Sequence, residues 1–164
     1  MSYPRIVPLT FVQNALISFV VHASALPKGK GFSPWVWQIL EGSNVIPIVM
    51  FEMEEGLDTG KIFVKSQLQL TGYELLAEIR CMLAHEIEKL ILTFLQDRDV
   101  LPPVPQQGDS TFYRRRTSAD SELEINRSIR EQFNLLRVVD NDNYPAFFTI
   151  DGHTYTLKIE KKND

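Results

Sequence analysis

The sequence has little of what several large classes of protein require. It contains one cysteine, Cys81, so an internal disulfide is impossible and a reducing cytoplasm is the simplest expected location. No apolar run approaches the ~18 residues of a membrane span, and residues 1–8 lack the features of a secretory signal. The formal net charge of −4 argues against a broad nucleic-acid-binding surface. We therefore expect neither a membrane nor a nucleic acid as a partner.

What the chain does contain is typical of a soluble globular domain with a small appendage. Its 164 residues are 44% hydrophobic and 23% charged. A cluster of prolines, Pro102, Pro103 and Pro105, lies in a stretch that predicts an irregular linker. We predict a first domain over residues 1–99, a linker over 100–111 and a carboxy-terminal subdomain over 112–164.

Apolar periodicity predicts alternating strands and helices in the first domain. Runs at 17–21, 44–52 and 62–70 read as strands, and the first suits a parallel sheet buried on both faces. A short helix is predicted over 33–41 and a long one over 72–96. Thr71 and Glu74 form a capping signal for the long helix.

The last third of the chain predicts one helix and one hairpin. A second capping signal, Ser128 with Glu131, accompanies four apolar residues that share one helical face: Ile125, Ile129, Phe133 and Leu136. Asp151-Gly152 separates two β-type runs within 146–159, which is typical of a hairpin with a type I′ turn.

Two loops that follow predicted strands carry the residues of chemical interest. Residues 22–34 open with His22, and residues 52–60 contain Asp58. Ligands in α/β folds collect beyond the carboxyl ends of strands, and His can move a proton near neutral pH. We predict that these two side chains lie within hydrogen-bond reach or one water apart. A structural histidine and a turn aspartate are the alternatives.

Five short motifs occur in order across the two loops and the segment between them. They are His22-Ala-Ser-Ala-Leu-Pro27, the basic glycine loop 28–31, Pro34 to Trp37, Ile39-Leu-Glu-Gly42 and Asp58-Thr-Gly-Lys-Ile62. In this order and spacing, they resemble the formyltransferase family that uses 10-formyltetrahydrofolate. The resemblance implies an α/β fold: a partial Rossmann-like formyltransferase sheet with flanking helices, plus a small α+β tail with a β-hairpin.

The same resemblance implies a set of site residues. No metal is expected, because Lys89 stands where a His-Glu-x-x-His motif starting at His85 would need its second His. His22 and Asp58 would be catalytic, with His22 as proton acceptor or oxyanion partner and Asp58 orienting it. The formyl donor 10-formyltetrahydrofolate would contact Ile6, Val7, Met53, Gly56, Leu57 and Asp58. The amine substrate would lie near Ser24, Lys28, Gly31 and Pro34.

Two departures from the family pattern bear on activity. The family usually has Asn two residues before the His, where this chain has Val20. The first residues resemble a strand late in the family's catalytic domain, so the chain resembles its second half. We therefore expect weak folate binding and little or no activity from the isolated chain. We also expect a homo-oligomer or partner to cover the open sheet edge.

The acceptor amine is predicted from the tail. Arg114-Arg-Arg116 and Tyr144-Pro-Ala146 resemble members of the family that formylate amino sugars, which implies a small, nucleotide-linked amino sugar as substrate. Formyltransferases for glycinamide ribonucleotide or methionyl-tRNA are alternatives, and a non-catalytic or truncated scaffold is the rival from another class. The arginine cluster itself is either an anion site or a solvated or packing turn.

Overall fold

A computed structural model describes residues 18–97 and 102–162 of the chain. In chain order the elements are β1 (Phe19–His22), β2 (Lys30–Gly31), α1 (Pro34–Leu40), β3 (Val45–Glu52), β4 (Ile62–Gln69), α2 (Leu76–Asp97), β5 (Phe112–Tyr113), a 3₁₀ turn (Ser118–Ser121), α3 (Phe133–Leu136), β6 (Ala146–Ile150) and β7 (His153–Leu157). The strands predicted over 44–52 and 62–70 and the helix predicted over 33–41 are confirmed within one or two residues. The predicted folate contacts Ile6 and Val7 lie outside the described residues.

The central sheet has three strands in the order β1-β3-β4. Both pairings are antiparallel, so the parallel sheet expected around the first strand is wrong for the described part of the chain. An apolar run indicates that both faces of a strand are buried, but it carries no information about the direction of the neighbouring strand. Within these residues β1 and β4 are the outer strands, and the oligomer or partner expected at the open edge stays a prediction.

Each face of the sheet packs a different apolar cluster because side chains alternate along β3. Ile46, Ile48 and Met50 are fully buried in the cluster that includes Ile79, Leu90 and Phe94 of α2. Val49 and Phe51 face the other way and pack with Leu26, Ile62 and Val20. In the antiparallel register His22 lies opposite Val49, which places its side chain on the face away from α2.

The long helix α2 begins at Leu76, four residues later than predicted. The Thr71–Glu74 motif is present, with the Thr71 N–H 2.7 Å from Glu74 Oε1, but it closes the turn before the helix. Gly72 has φ +98°, outside the helical region, so the helix cannot include it. The first turn is capped instead by Glu78, whose Oε2 accepts the Leu75 N–H at 2.7 Å. No helix in residues 18–97 or 102–162 is long and apolar enough to cross a membrane.

The carboxy-terminal third is anchored to the sheet domain by a buried arginine. Arg137 Nη2 lies 3.1 Å from Glu74 Oε2, its Nε donates to the Glu74 carbonyl at 3.2 Å, and its Nη1 donates to Asn44 Oδ1 at 2.9 Å. Contacts therefore run directly between segments on either side of residues 100–111. Residues 102–110 contain no helix, and the division of the chain into two parts stays a prediction.

The helix predicted in the tail is wrong over most of its length, whereas the hairpin is confirmed. Only Phe133–Leu136 is helical, and Ile125 and Ile129 are 55% and 70% exposed. The Gln132 side chain bonds the Glu124 N–H and the carbonyls of Glu124 and Arg127, so these residues form turns. The hairpin turn has positive φ at its two central residues, as a type I′ turn requires.

Candidate active site

His22 lies at the end of β1, where the chain leaves the sheet. Its side chain is 9% exposed, and its Nε2 lies 2.9 Å from the Gly29 carbonyl oxygen and 3.7 Å from Asp58 Oδ2. A carbonyl oxygen can only accept, so Nε2 carries a proton in this arrangement. In the neutral imidazole the lone pair therefore resides on Nδ1, which makes Nδ1 the atom that can take up a proton.

Asp58 lies in the loop between β3 and β4. Its φ of 52° is in the left-handed region, which Asp tolerates better than most residues. Its Oδ2 accepts the Gly31 N–H at 2.8 Å. The loop folds tightly against its own start: a Cβ at Gly60 would collide with the Glu52 carbonyl, so only glycine fits there. This fold brings the Asp58 carboxylate beside His22, although the two residues are far apart in the chain.

The loop after His22 is held along one side by residues 111–113. β2 pairs in parallel with β5, the Lys30 N–H donates to the Thr111 carbonyl at 2.9 Å, and the Phe32 N–H donates to the Tyr113 carbonyl at 3.1 Å. Gly31 has φ +99°, and an added Cβ would collide with the Tyr113 carbonyl. The close approach of the two backbones explains why glycine is needed at this position.

The four residues predicted to bind the amine differ in their burial and in their hydrogen bonds. Lys28 is exposed, and Gly31 is half-buried and uses its N–H on Asp58. Pro34 is buried as the first residue of α1. Ser24 is 1% exposed, and its Oγ has no hydrogen-bond partner among the described residues. Gly31 is thus in contact with the His22–Asp58 pair, while a role for any of the four in binding substrate stays a prediction.

The described residues that are predicted to contact folate belong to the loop that carries Asp58. Met53 is half-buried and donates its N–H to the Ser18 carbonyl at 2.8 Å. Gly56 and Leu57 are exposed, Leu57 by 49%. Their contact with folate stays a prediction.

The arginine cluster is used in packing. Arg114 makes a forked ion pair with Asp120, and its guanidinium lies 4.8 Å from the centroid of the Trp37 ring. The hydrogen bond from Arg114 holds the pKa of Asp120 well below its usual range. Arg116 Nη2 donates to the Asp120 carbonyl at 3.0 Å. Of the two readings of this cluster, the structure supports the packing turn for Arg114 and Arg116.

Two residues that sequence reasoning assigned to no site each contact one of the two loops. Gln106 Nε2 donates to the carbonyls of Asp58 and Gly60 at 2.9 and 2.8 Å. Thr111 Oγ1 accepts the Gly29 N–H at 2.8 Å. Both residues lie in the predicted linker, and no local periodicity or motif marks them, because their partners are 46 to 82 residues away.

Comparison with known families decides what this geometry belongs to. The family described as formyl transferase matches residues 1–94, more than half of the 164 residues. The chain belongs to the formyl transferase family. A methionyl-tRNA formyltransferase of Pelotomaculum thermopropionicum is 30% identical over 141 residues, covering 83% of this chain and 44% of that protein. The chain therefore spans about half the length of the curated relatives it matches.

Solved structures of other proteins share the fold. The methionyl-tRNA formyltransferase from Clostridium thermocellum superposes with a TM-score of 0.82 at 27% identity, covering 99% of this chain and 70% of that one. HypX from Aquifex aeolicus in complex with tetrahydrofolic acid superposes with a TM-score of 0.79 at 14% identity, covering 96% of this chain and 28% of that one. A likely sugar N-formyltransferase from Mycobacterium tuberculosis superposes with a TM-score of 0.71 at 16% identity, covering 89% of this chain and 66% of that one. The last two likenesses concern the fold alone.

Val20→Asn, which introduces the amide typical of the resembled family, is expected to lower stability. Val20 packs against the apolar cluster of Leu26, Val49, Phe51 and Ile62, where an unpaired amide costs about 1–3 kcal/mol. Thermal or urea unfolding measures this loss. Val45→Asn is the matched control, since Val45 is 38% exposed on β3 and should change stability little. Equal losses in both variants would contradict the packing argument.

Proposed function

We propose that this chain takes part in formyl transfer from 10-formyltetrahydrofolate to a primary amine. The observation that carries the proposal is the buried His22–Asp58 pair, with Nε2 and Oδ2 3.7 Å apart where two loops meet. Membership of the formyl transferase family supports it, as does the shared fold of HypX, whose structure holds tetrahydrofolic acid.

The pair supplies a proton acceptor for the acylation of an amine. When bound, 10-formyltetrahydrofolate would provide the formyl carbon. A neutral amine must lose a proton as it is acylated, and His22 can accept that proton at Nδ1. The Asp58 carboxylate then faces the Nε2–H side of the ring and stabilises the positive charge of the imidazolium. Because both side chains are largely buried, this attraction is stronger than it would be in water.

The loop of Asp58 suits a folate on chemical grounds. Residues 54–57 are exposed and directly precede Asp58 in its loop, where Leu57 presents apolar surface. A planar ring needs apolar contact on its face and polar backbone groups at its edge. We infer that Met53, Gly56 and Leu57 hold the donor beside Asp58, and that Ile6 and Val7 complete the contact.

For the acceptor, two candidate amines deserve a direct comparison. The motifs of the tail favoured a nucleotide-linked amino sugar, but Arg114 and Arg116 are committed to Asp120. The relative at 30% identity is a methionyl-tRNA formyltransferase, which supports the amino group of methionyl-tRNA. We propose methionyl-tRNA as the first acceptor to test, against the expectation drawn from the net charge of −4.

The test is a chimera in which this chain replaces the matching segment of the Clostridium thermocellum enzyme. Release of tetrahydrofolate is followed with methionyl-tRNA, glycinamide ribonucleotide and a panel of nucleotide-linked amino sugars. We expect the chimera to formylate methionyl-tRNA and the isolated chain to turn over slowly. Preference for an amino sugar would overturn the acceptor. A folded chimera that formylates none of the amines would favour the non-catalytic scaffold.

A further inference from the structure

Residues 104–113, which we call the strap, touch both loops that carry the catalytic pair. Val104 exchanges two backbone hydrogen bonds of 2.8 Å with Ile62, directly after the loop of Asp58. Thr111 bonds Gly29 through its Oγ1 and Lys30 through its carbonyl. The strap is therefore bonded to the loop of His22 at one end and to the loop of Asp58 at the other.

Gln106 makes the contact with the turn that presents Asp58. Its Nε2 donates to the carbonyls of Asp58 and Gly60, which lie on either side of Thr59. Both partners are carbonyl oxygens, so only the NH₂ group of the amide can face them. Two bonds from one rigid amide fix the backbone of the turn, including Asp58 with its left-handed φ of 52°.

The position of that turn decides where the Asp58 carboxylate lies. Its Oδ2 accepts the Gly31 N–H at 2.8 Å and lies 3.7 Å from His22 Nε2, so a shift of about 1 Å would break the first contact and weaken the second. We propose that Gln106 is a positioning residue of the formyl-transfer site, holding the Asp58 turn against His22 and Gly31. This inference rests on the proposed function for the chemistry of the site.

The decisive measurement is amide hydrogen exchange at three consecutive residues, read by NMR on the chain itself. Gly31 donates to Asp58, whereas Lys30 and Phe32 donate to Thr111 and Tyr113 of the strap. In Gln106→Met we expect the protection of the Gly31 amide from exchange to fall roughly tenfold, because about one hydrogen bond to a charged carboxylate is lost. Protection of the Lys30 and Phe32 amides should not change. A merely structural role would lower all three together, and that result, or an unchanged Gly31, would overturn the proposal.

The neighbouring Gln107 provides the matched control. It is exposed, so Gln107→Met should leave protection at all three amides unchanged. Gln106 Oε1 is buried with no partner in the described part of the chain, so methionine also removes an unpaired acceptor and should be tolerated. If Gln106→Met does not fold, Gln106→Ala, which leaves room for water, is measured in the same way. A fall at Gly31 in Gln107→Met equal to that in Gln106→Met would refute the specific role of Gln106.

A double variant tests whether Gln106 acts through Asp58. Asp58→Ala removes the acceptor of the Gly31 N–H, so adding Gln106→Met should cause no further fall at Gly31. A second fall of the same size would show that Gln106 acts by another route. The exchange measurements use no substrate, so they stand or fall separately from formyl transfer, which is tested by turnover of the chimera.

Discussion

His22→Gln is expected to lower kcat for formyl transfer in the chimera by about 10²–10⁴-fold, the usual contribution of a general base. Glutamine can still donate a hydrogen bond to the Gly29 carbonyl, so the loop keeps an anchor. It cannot accept a proton near neutral pH, so the amine loses its proton acceptor. The measurement is the rate of tetrahydrofolate release at saturating amine and formyl donor.

His85→Gln is the control for this prediction. His85 is exposed on α2, outside the site, and its replacement should leave kcat unchanged. If the His22→Gln chimera retains kcat within a few-fold of the chimera with His22, then His22 is not the proton acceptor of the reaction. The alternative of a structural histidine would then apply, and a loss of stability without a loss of kcat would identify it.

Arg137→Met is expected to lower the free energy of unfolding by about 3–5 kcal/mol, as for a buried ion pair that loses one partner. Arg137 is 1% exposed and bonds both Glu74 and Asn44, so methionine fills the volume but leaves those acceptors unpaired. Urea unfolding at neutral pH measures the loss. The control Arg127→Met removes an exposed ion pair with Glu124, and the free energy of unfolding should change by no more than about 1 kcal/mol.

Glu74, the carboxylate that Arg137 bonds, gives a further prediction through its acid dependence. Burial alone would raise the pKa of Glu74, but hydrogen bonds from the Thr71 hydroxyl and from backbone N–H groups outweigh it and lower the pKa from 4.5 to about 2. Because the folded pKa is depressed, the stabilisation is complete above pH 4.5 and is lost as the pH falls towards about 2. The stability difference between the parent and Glu74→Gln should shrink over this window. A difference that stays constant from pH 7 to pH 2 would contradict the assignment.

The amino-acid sequence was sufficient to predict the features that depend on neighbouring residues. The strands of the sheet domain, α1 and the hairpin at Asp151-Gly152 follow from apolar runs and turn residues, and all are found. The ordered motifs around His22 and Asp58 indicated the family and the proximity of those two side chains. Apolar runs and turn residues are local signals, because the residues that form them are close together in the chain. The order and spacing of the motifs can likewise be read directly from the sequence.

Only the tertiary structure decided the features that join distant segments. The antiparallel direction of the sheet, the late start of α2 and the bonds from Gln106 to the Asp58 turn have no local signature. No local pattern in the sequence marks Arg137 as buried, yet it is buried because Glu74, 63 positions away, supplies its partner. Burial of a charge or a long-range hydrogen bond depends on which surfaces meet when the chain packs, and that is a property of the whole fold.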